Sequence, residues 1–166
     1  KHLACYELEN PAVLTSEGFK RLRENPSEWS KRASPSIIGT TYINNLYEMI
    51  HPNEVSPDTA QSDMAPVLQV GRMGIPTEVE DRFNNWYNTV YVPNYEKVPG
   101  CIRGRRYRVV TGEPRYLVVY ELEHDKVSES SEWHRQRDIA PENAEMRTAM
   151  RHAAGSPGIW RKTFQL

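Results

Sequence analysis

The sequence is short of the features that mark specialised classes of protein. Its two cysteines, Cys5 and Cys101, fit no metal-binding spacing and no disulfide framework, so a reducing, cytoplasmic location is expected. No apolar run approaches the roughly 18 to 20 residues that span a bilayer, so no membrane association is predicted. The 21 basic and 22 acidic residues leave a net charge of -1, and this balance predicts no nucleic-acid partner.

Signatures of cofactor and covalent chemistry are missing as well. The sequence has no Gly-rich phosphate loop, no G-x-S-x-G nucleophile turn and no metal-ligand spacing of His, Cys and carboxylate residues. We therefore expect no cofactor and no bound metal. The apolar share of 38% and the charged share of 26% are ordinary for a globular protein, and 166 residues suit one domain or two small ones.

What the sequence does contain is an internal repeat. Residues 3–9 read LACYELE and residues 117–123 read LVVYELE, so five of the seven positions are identical. A second match pairs residues 34–37, SPSI, with residues 156–159, SPGI. Two strands can resemble each other by composition alone, because Val and Tyr favour strands. Two matches in the same order, however, favour a duplicated unit.

One complete copy is predicted over residues 67–166. It begins with a strand at residues 67–73 and continues, after Pro76, with a helix that has acidic residues in its first turn and apolar residues at spacings of three and four. Pro93 is expected to end or kink this helix. The later elements are two strands joined by a turn, a polar helical stretch and a final strand: residues 101–110, 116–123, about 130–151 and 159–166.

The predicted order is β-α-β-β-α-β, the ferredoxin-like unit, which implies an α+β fold with both helices on one face of an antiparallel sheet. The first copy is expected to hold only the second half of this unit, as strand, helix and strand: residues 2–9, about 12–32 and 36–50. The predicted division is an incomplete first repeat, a proline-containing linker and a complete second repeat: residues 1–50, 51–66 and 67–166. We expect a preceding segment or another chain to supply the missing half.

The motifs of the second repeat resemble a known superfamily. Residues 83–93, FNNWYNTVYVP, are followed by VPG at residues 98–100, RRY at residues 105–107 and RYLVVYEL at residues 115–122. This order is similar to the EthD-like branch of the dimeric α+β barrel superfamily, over most of residues 67–124. The resemblance implies tandem ferredoxin-like units packed sheet to sheet as a barrel. Tyr91 stands where that family commonly has His.

The resemblance also implies a function. Barrels of this superfamily commonly enclose a pocket for aromatic or polyketide-like molecules, which implies a cofactor-independent enzyme of the cyclase, isomerase, decarboxylase or monooxygenase type. We expect Tyr91 to be the proton donor and Glu121 the base or the orienting group. The expected substrate-binding residues are Trp86, Tyr87, Tyr95, Arg105, Arg106 and Tyr120. A small-molecule substrate and either a homo-oligomer or a missing N-terminal segment are the expected partners.

Each of these assignments has a plainer alternative. Because side chains alternate along a strand, Glu121 and Tyr120 take opposite faces, and Glu121 can form a cross-strand ion pair with an arginine of residues 103–108. The aromatic cluster can be core between helix and sheet. The protein can also be a non-catalytic small-molecule-binding or assembly module. An enclosed cavity with convergent ionisable groups would favour the enzyme, and a filled apolar one would favour the module.

Overall fold

A six-stranded antiparallel sheet and several helices make up the computed structural model, which describes residues 1–39 and 41–164. The protein is therefore α+β, as the sequence predicts. The chain divides into two units, Lys1–Asn44 and Asn45–Leu166. Among the described residues, no helix has both the length and the apolar character needed to cross a membrane.

The first unit, Lys1–Asn44, is helical in its described part. Ser16 and Ser27 begin two of its helices, because their side-chain oxygens accept hydrogen bonds from backbone N–H groups in the first turn. The helices of this unit are a 3-10 helix at Pro11–Thr15, then α1 (Glu17–Glu24), α2 (Glu28–Arg32) and α3 (Pro35–Ile38).

The structure differs from the prediction at the strands of residues 1–50. None of residues 2–9 lies in a strand, and the strand predicted over residues 36–50 occupies only Leu46–His51; residue 40 lies outside the described residues. Alternating apolar residues favour a strand, but a strand also needs a neighbour for its N–H and C=O groups. The described part of Lys1–Asn44 has no second strand to pair with residues 2–9. The structure thus does not show the tandem pair, which stays a prediction.

The second unit contains the whole sheet. Its strands are β1 (Leu46–His51), β2 (Val67–Gly74), β3 (Cys101–Thr111), β4 (Tyr116–Leu122), β5 (Arg151–His152) and β6 (Gly158–Arg161). Its helices are α4 (Pro57–Gln61), α5 (Glu80–Trp86), a π-helical turn (Tyr87–Tyr91), α6 (Val92–Glu96), α7 (Ser131–Asp138) and α8 (Glu142–Ala149), with 3-10 helices at Thr77–Val79 and Asp125–Glu129. The predicted linker, residues 51–66, thus contains α4. The predicted final strand ends at Arg161, and residues 165 and 166 lie outside the described part.

The sheet order is β1-β3-β4-β2-β5, and β6 also pairs with β2; every pair is antiparallel. From β2 onwards the order along the chain is β-α-β-β-α-β-β, which is the predicted order with one additional short strand, β5. On β4, Glu121 is paired with Leu68 of β2 and Arg103 of β3, and these three share one face of the sheet. The next residue back, Tyr120, takes the opposite face.

The core lies between that opposite face and the helices. Tyr116, Val118, Tyr120 and Leu122 of β4 all belong to one buried apolar cluster. The helices contribute large rings to the same cluster: Phe83, Trp86, Tyr87, Tyr91, Tyr95 and Trp133. Burial of these aromatic side chains supplies much of the apolar area that drives folding.

Candidate functional site

A cavity of about 300 Å³ lies against the helix-facing side of the sheet in the second unit. Four buried phenols line it, and we call it the tyrosine cavity after them: Tyr87, Tyr91, Tyr95 and Tyr120. More exposed side chains in its lining mark the opening: His134, Arg137, Arg147 and His152. Ligand pockets are mostly apolar concavities, from about 300 Å³ upwards, with a few convergent polar groups. This cavity has those properties and is the candidate site.

A π-helical turn places two of the four tyrosines. The backbone N–H of Val92 donates to the carbonyl of Tyr87, five residues back, instead of to the fourth residue back. Pro93 stands in the first turn of α6, where a residue without an N–H is tolerated. The helix therefore continues at the position where the sequence predicts an end or a kink. Single π-helical turns are frequent at functional sites. Here the wider turn directs Tyr87 and Tyr91 into the cavity wall.

The aromatic rings of the wall support one another. The Tyr91 and Tyr95 rings meet edge to face with centroids 4.9 Å apart, and Tyr95 lies 4.1 Å from Trp133 of α7. The predicted substrate contact Trp86 lies behind this wall, where it packs 4.4 Å from Tyr91 and donates from Nε1 to Asn143 Oδ1 at 2.9 Å. Packing of this kind holds each ring in one orientation. The wall is therefore preformed.

The hydroxyl of Tyr120 is the unusual polar group of the cavity. Its residue is 3% exposed, and no group in the part of the chain that the structure describes has hydrogen-bonding geometry to Oη, although the Tyr87 phenol lies close enough to interact with it. Tyr91 and Tyr95, by contrast, share a hydrogen bond of 3.1 Å between their hydroxyls. Nearly all buried polar groups in proteins are hydrogen-bonded, so an unpaired hydroxyl at a cavity wall indicates a place where a ligand atom or a water can bind.

Burial raises the pKa of all four phenols above the ordinary value: Tyr87, Tyr91, Tyr95 and Tyr120. For Tyr120, the neighbouring Tyr87 and Tyr95 raise the pKa further. For Tyr91, the hydrogen bond with Tyr95 and the nearby Arg147 act in the opposite direction without cancelling the effect of burial. The phenols are thus protonated at neutral pH, which suits hydrogen-bond donors and general acids but not bases.

The opening of the cavity carries cations and an imidazole. Asp138 accepts from Arg147 Nη1 at 2.6 Å and from Arg137 Nη2 at 2.8 Å, so one carboxylate holds two guanidinium groups beside the opening. Burial lowers the pKa of His152 below 6.5, although the backbone of Arg72 acts in the opposite direction. His152 is therefore a neutral imidazole at neutral pH, a form that can accept a proton.

Glu121, the predicted base, lies on the other face of the sheet and does not line the cavity. Its carboxylate accepts from Arg103 Nε at 2.6 Å and Nη2 at 2.8 Å and from the N–H of Ala65 at 3.0 Å, and it forms an ion pair with Arg105 Nη2 at 3.0 Å. Burial alone would raise the pKa of Glu121, but Arg103, Ala65 and Arg105 together hold it below its usual range. The arrangement is that of a satisfied cross-strand ion pair, which was the plainer alternative.

Arg106 takes the helix-facing side of β3, away from Glu121. It is 1% exposed, and its guanidinium lies 4.3 Å from the centre of the Tyr87 ring. It donates to the side-chain oxygens of Asn84 and Asn88. The two predicted arginines therefore lie on opposite faces of the sheet. Arg105 forms an ion pair with Glu121, and Arg106 lies directly behind the wall of the tyrosine cavity.

The structure thus brings Tyr87, Tyr91, Tyr95 and Tyr120 together and leaves the other predicted site residues outside the cavity lining. The sequence prediction missed the residues of the opening: Arg137, Arg147 and His152. The contact that brings His152 to the cavity is its pairing with Met73 of β2. Such a pairing depends on the register of two strands far apart in the chain.

No family model matches the chain, and no curated protein matches it significantly. Within residues 1–39 and 41–164, no three or more His, Cys, Asp or Glu side chains are grouped so that they could hold a metal ion. The function is therefore inferred from the chemistry of the tyrosine cavity itself.

Proposed function

We propose that the protein binds an oxygenated aromatic small molecule in the tyrosine cavity and catalyses proton transfer on it. One observation carries the proposal: Tyr120 lines the cavity, and its buried hydroxyl has no hydrogen-bond partner among the described residues. An unpaired buried hydroxyl costs a protein about 1–3 kcal/mol. A carbonyl or hydroxyl oxygen of a ligand would supply the missing hydrogen bond.

The shape and lining of the cavity support an aromatic ligand. Its walls are tyrosine and tryptophan rings, which pack well against another flat ring in stacked or edge-to-face geometry. A volume of about 300 Å³ is at the small end of ligand pockets and suits one ring or two fused rings. The shared hydroxyls of Tyr91 and Tyr95 offer a second polar contact, so a ligand with two oxygen atoms fits best.

The ionisable groups support acid–base chemistry. The Tyr120 and Tyr91 phenols stay protonated and can donate to the oxygen of a ring ketone, while the neutral imidazole of His152 can take a proton from the neighbouring carbon. The electron pair of that C–H bond then moves into a carbon–carbon double bond, and the ketone oxygen gains the charge or the donated proton. Isomerisation, cyclisation and decarboxylation reactions share such an enol or enolate stage.

The second candidate is a non-catalytic small-molecule-binding module. The ion pairs of Glu121 favour this second function, because the carboxylate that was expected to act as a base is already bound by Arg103, Arg105 and the N–H of Ala65. His152 is then the group on which catalysis depends. Binding without turnover would indicate this second function.

The proposal extends to assembly. The order of motifs in residues 83–122 supports an EthD-like barrel, in which a second sheet covers the face of the sheet that carries Glu121. That second sheet would come from another copy of the chain. Light scattering of the 166-residue chain tests this part: a dimer would support a second copy, and a monomer would contradict it.

Binding is tested with 2-naphthol and its parent hydrocarbon naphthalene, followed by tryptophan fluorescence, since Trp133 lies in the cavity wall. We expect saturable binding of 2-naphthol, weakened about 3- to 10-fold in Tyr120→Phe, as the loss of one hydrogen bond predicts. Naphthalene binding should be unchanged in the same variant. Tyr42→Phe, at an exposed tyrosine, is the matched control. A failure of 2-naphthol to saturate the protein would contradict the proposal.

Catalysis is tested by exchange of the α-hydrogens of 2-tetralone with deuterium oxide, measured by NMR. The enzyme hypothesis predicts saturable acceleration of the exchange that is lost in His152→Asn and retained in His124→Gln, at an exposed histidine outside the cavity lining. Binding of 2-tetralone with no acceleration would favour the non-catalytic module instead.

A further inference from the structure

Arg106 is a buried cation without an ionic partner. The residue is 1% exposed, and none of the described carboxylates forms an ion pair with it. Its donors are used by neutral oxygens of Asn84 and Asn88, and three aromatic rings surround its guanidinium: Phe83, Tyr87 and Tyr116. Buried charges are normally paired, so this uncompensated charge needs an explanation.

The nearest carboxylate in the hydrogen-bond network is Glu80, and it is not available to Arg106. Arg106 donates to Asn84, Asn84 donates to the Tyr116 hydroxyl, and Tyr116 donates to Glu80. Glu80 also accepts from Arg115 at the surface. Two neutral side chains thus separate Arg106 from a carboxylate that already has its own cation.

The charge of Arg106 acts on the tyrosine cavity through Tyr87. The guanidinium lies 4.3 Å from the centre of the Tyr87 ring, and the Tyr87 side chain forms part of the cavity wall. The other titratable groups that interact with Arg106 are the phenols of Tyr116 and Tyr120 and the imidazole of His51. Burial lowers the pKa of His51, the carboxylate of Glu96 opposes this effect, and Arg106 lowers the pKa further, so the groups that interact with the guanidinium are neutral at neutral pH.

The opening adds positive charge of its own. Arg137 and Arg147 share the single carboxylate of Asp138, so this trio carries one net positive charge beside the cavity. A ligand that enters there meets cations at the opening and a second cation behind the wall. Fixed positive charges of this kind favour an anion over a neutral molecule.

We propose that the tyrosine cavity holds its ligand as an oxyanion, a phenolate or an enolate, and that Arg106 is the positioning residue whose buried charge favours that form. This inference rests on the proposed function, because it takes the tyrosine cavity as the ligand site. It adds that the phenols donate to a negatively charged oxygen, with the Tyr87 hydroxyl strengthened as a donor by the guanidinium at its ring.

The probe for this inference is 4-nitrophenol, since its phenolate absorbs visible light and its neutral form does not. Titration of the protein-bound probe should give an apparent pKa about one unit below that of the free probe, which is a tenfold preference for the phenolate. Arg106→Gln, which keeps a neutral donor, should reduce the shift clearly, and the remainder is expected from Arg137 and Arg147 at the opening. Arg106→Lys, which keeps the charge, should retain part of it.

Three further measurements distinguish an effect of the Arg106 charge on the probe from an effect of the substitution on the fold. The methyl ether 4-nitroanisole cannot ionise and should bind equally to the wild type and both Arg106 variants. Arg135→Gln, at an exposed arginine paired with Glu132, should leave the shift unchanged. Should Arg106→Gln fail to fold by circular dichroism, Tyr87→Phe provides a second test, because it keeps Arg106 but removes the donor and should reduce the shift.

The outcomes distinguish the two proposals. If 4-nitrophenol binds with an unshifted or raised pKa, or if Arg106→Gln keeps the full shift, the oxyanion inference is wrong while the cavity remains a ligand site. If neither nitroaromatic probe binds, the proposed function itself fails and the inference fails with it.

Discussion

Tyr116 and Tyr120 lie on the same face of β4, and of these two buried phenols only that of Tyr116 has hydrogen-bond partners among the described residues. The Tyr116 hydroxyl accepts from Asn84 at 2.8 Å and donates to Glu80, whereas the Tyr120 hydroxyl has no partner within the described chain. The two rings belong to the same core cluster and are almost equally buried. They therefore form a natural matched pair for separating a structural phenol from one that serves a ligand.

Removing the two hydroxyls should change stability in opposite directions. Tyr120→Phe deletes an unpaired polar group, so we expect the free energy of unfolding to stay the same or to rise by up to about 1 kcal/mol. Tyr116→Phe leaves Glu80 and Asn84 without their partner and should cost about 1–2 kcal/mol. Urea denaturation of both variants measures the difference. A loss of stability in Tyr120→Phe as large as that in Tyr116→Phe would show that the Tyr120 hydroxyl is paired after all.

Glu121 should be a stability residue. Glu121→Gln leaves Arg103 and Arg105 beside an uncharged amide in a largely buried setting, and loss of one partner from a buried ion pair destabilises by about 3 kcal/mol. The control is Glu123→Gln, two residues further along the chain and exposed, for which a change within about 0.5 kcal/mol is expected. Equal effects of the two substitutions on the free energy of unfolding would show that the ion pairs of Glu121 do not stabilise the fold.

The contribution of Glu121 should also depend on pH with a definite sign. Its pKa in the folded protein lies below 4.5, the ordinary value, because the stabilising effects of Arg103, Ala65 and Arg105 exceed the opposing effect of burial. The carboxylate thus stabilises the fold fully above that ordinary value and loses its effect as the pH falls through the lowered pKa. The stability gap between wild type and Glu121→Gln should therefore narrow in acid, as denaturation curves from pH 7 to pH 3 would show.

Gly104 should be required by close packing at the cavity wall. A Cβ at this position would lie 2.7 Å from Val92 Cγ1 and 3.0 Å from the Tyr120 ring, so Gly104→Ala should cost about 1–3 kcal/mol and disturb ligand binding. Gly74→Ala is the matched control, because nothing lies within 4 Å of a Cβ there. Thermal unfolding of the two variants compares them directly, and similar melting temperatures would contradict the close approach of β3 and α6.

His152 should titrate below pH 6.5, and NMR of its ring protons measures this directly. Its folded pKa is lowered by burial, so its neutral form favours the folded state and this contribution is lost as the pH falls below 6.5. An oxyanion bound in the cavity should move the titration upwards, because a nearby negative charge favours the imidazolium. A pKa above 6.5 in the free protein would argue against His152 as a base at neutral pH.

The predictions made from sequence succeeded where the signal is local. The strand at residues 67–73, the helix stripe through Phe83 and Trp86, and the two strands of β3 and β4 all appear, because each depends on periods and turn residues within a short window. The strand predicted at residues 2–9 did not appear, although those residues resemble β4 closely. Strand formation also needs a partner strand, and no pattern within a segment supplies one.

The amino-acid sequence by itself determined the α+β class, the approximate positions of β2, β3 and β4, and the opposite faces of Tyr120 and Glu121, since alternation along a strand is a property of the strand alone. Only the tertiary structure decided that Glu121 forms an ion pair with Arg103, that the Tyr120 hydroxyl has no hydrogen-bond partner among the described residues, and that Arg106 is buried without a described carboxylate as its partner. The physical reason is that hydrogen bonding and charge pairing depend on which distant segments meet, and strand register and helix packing set those meetings across the whole fold.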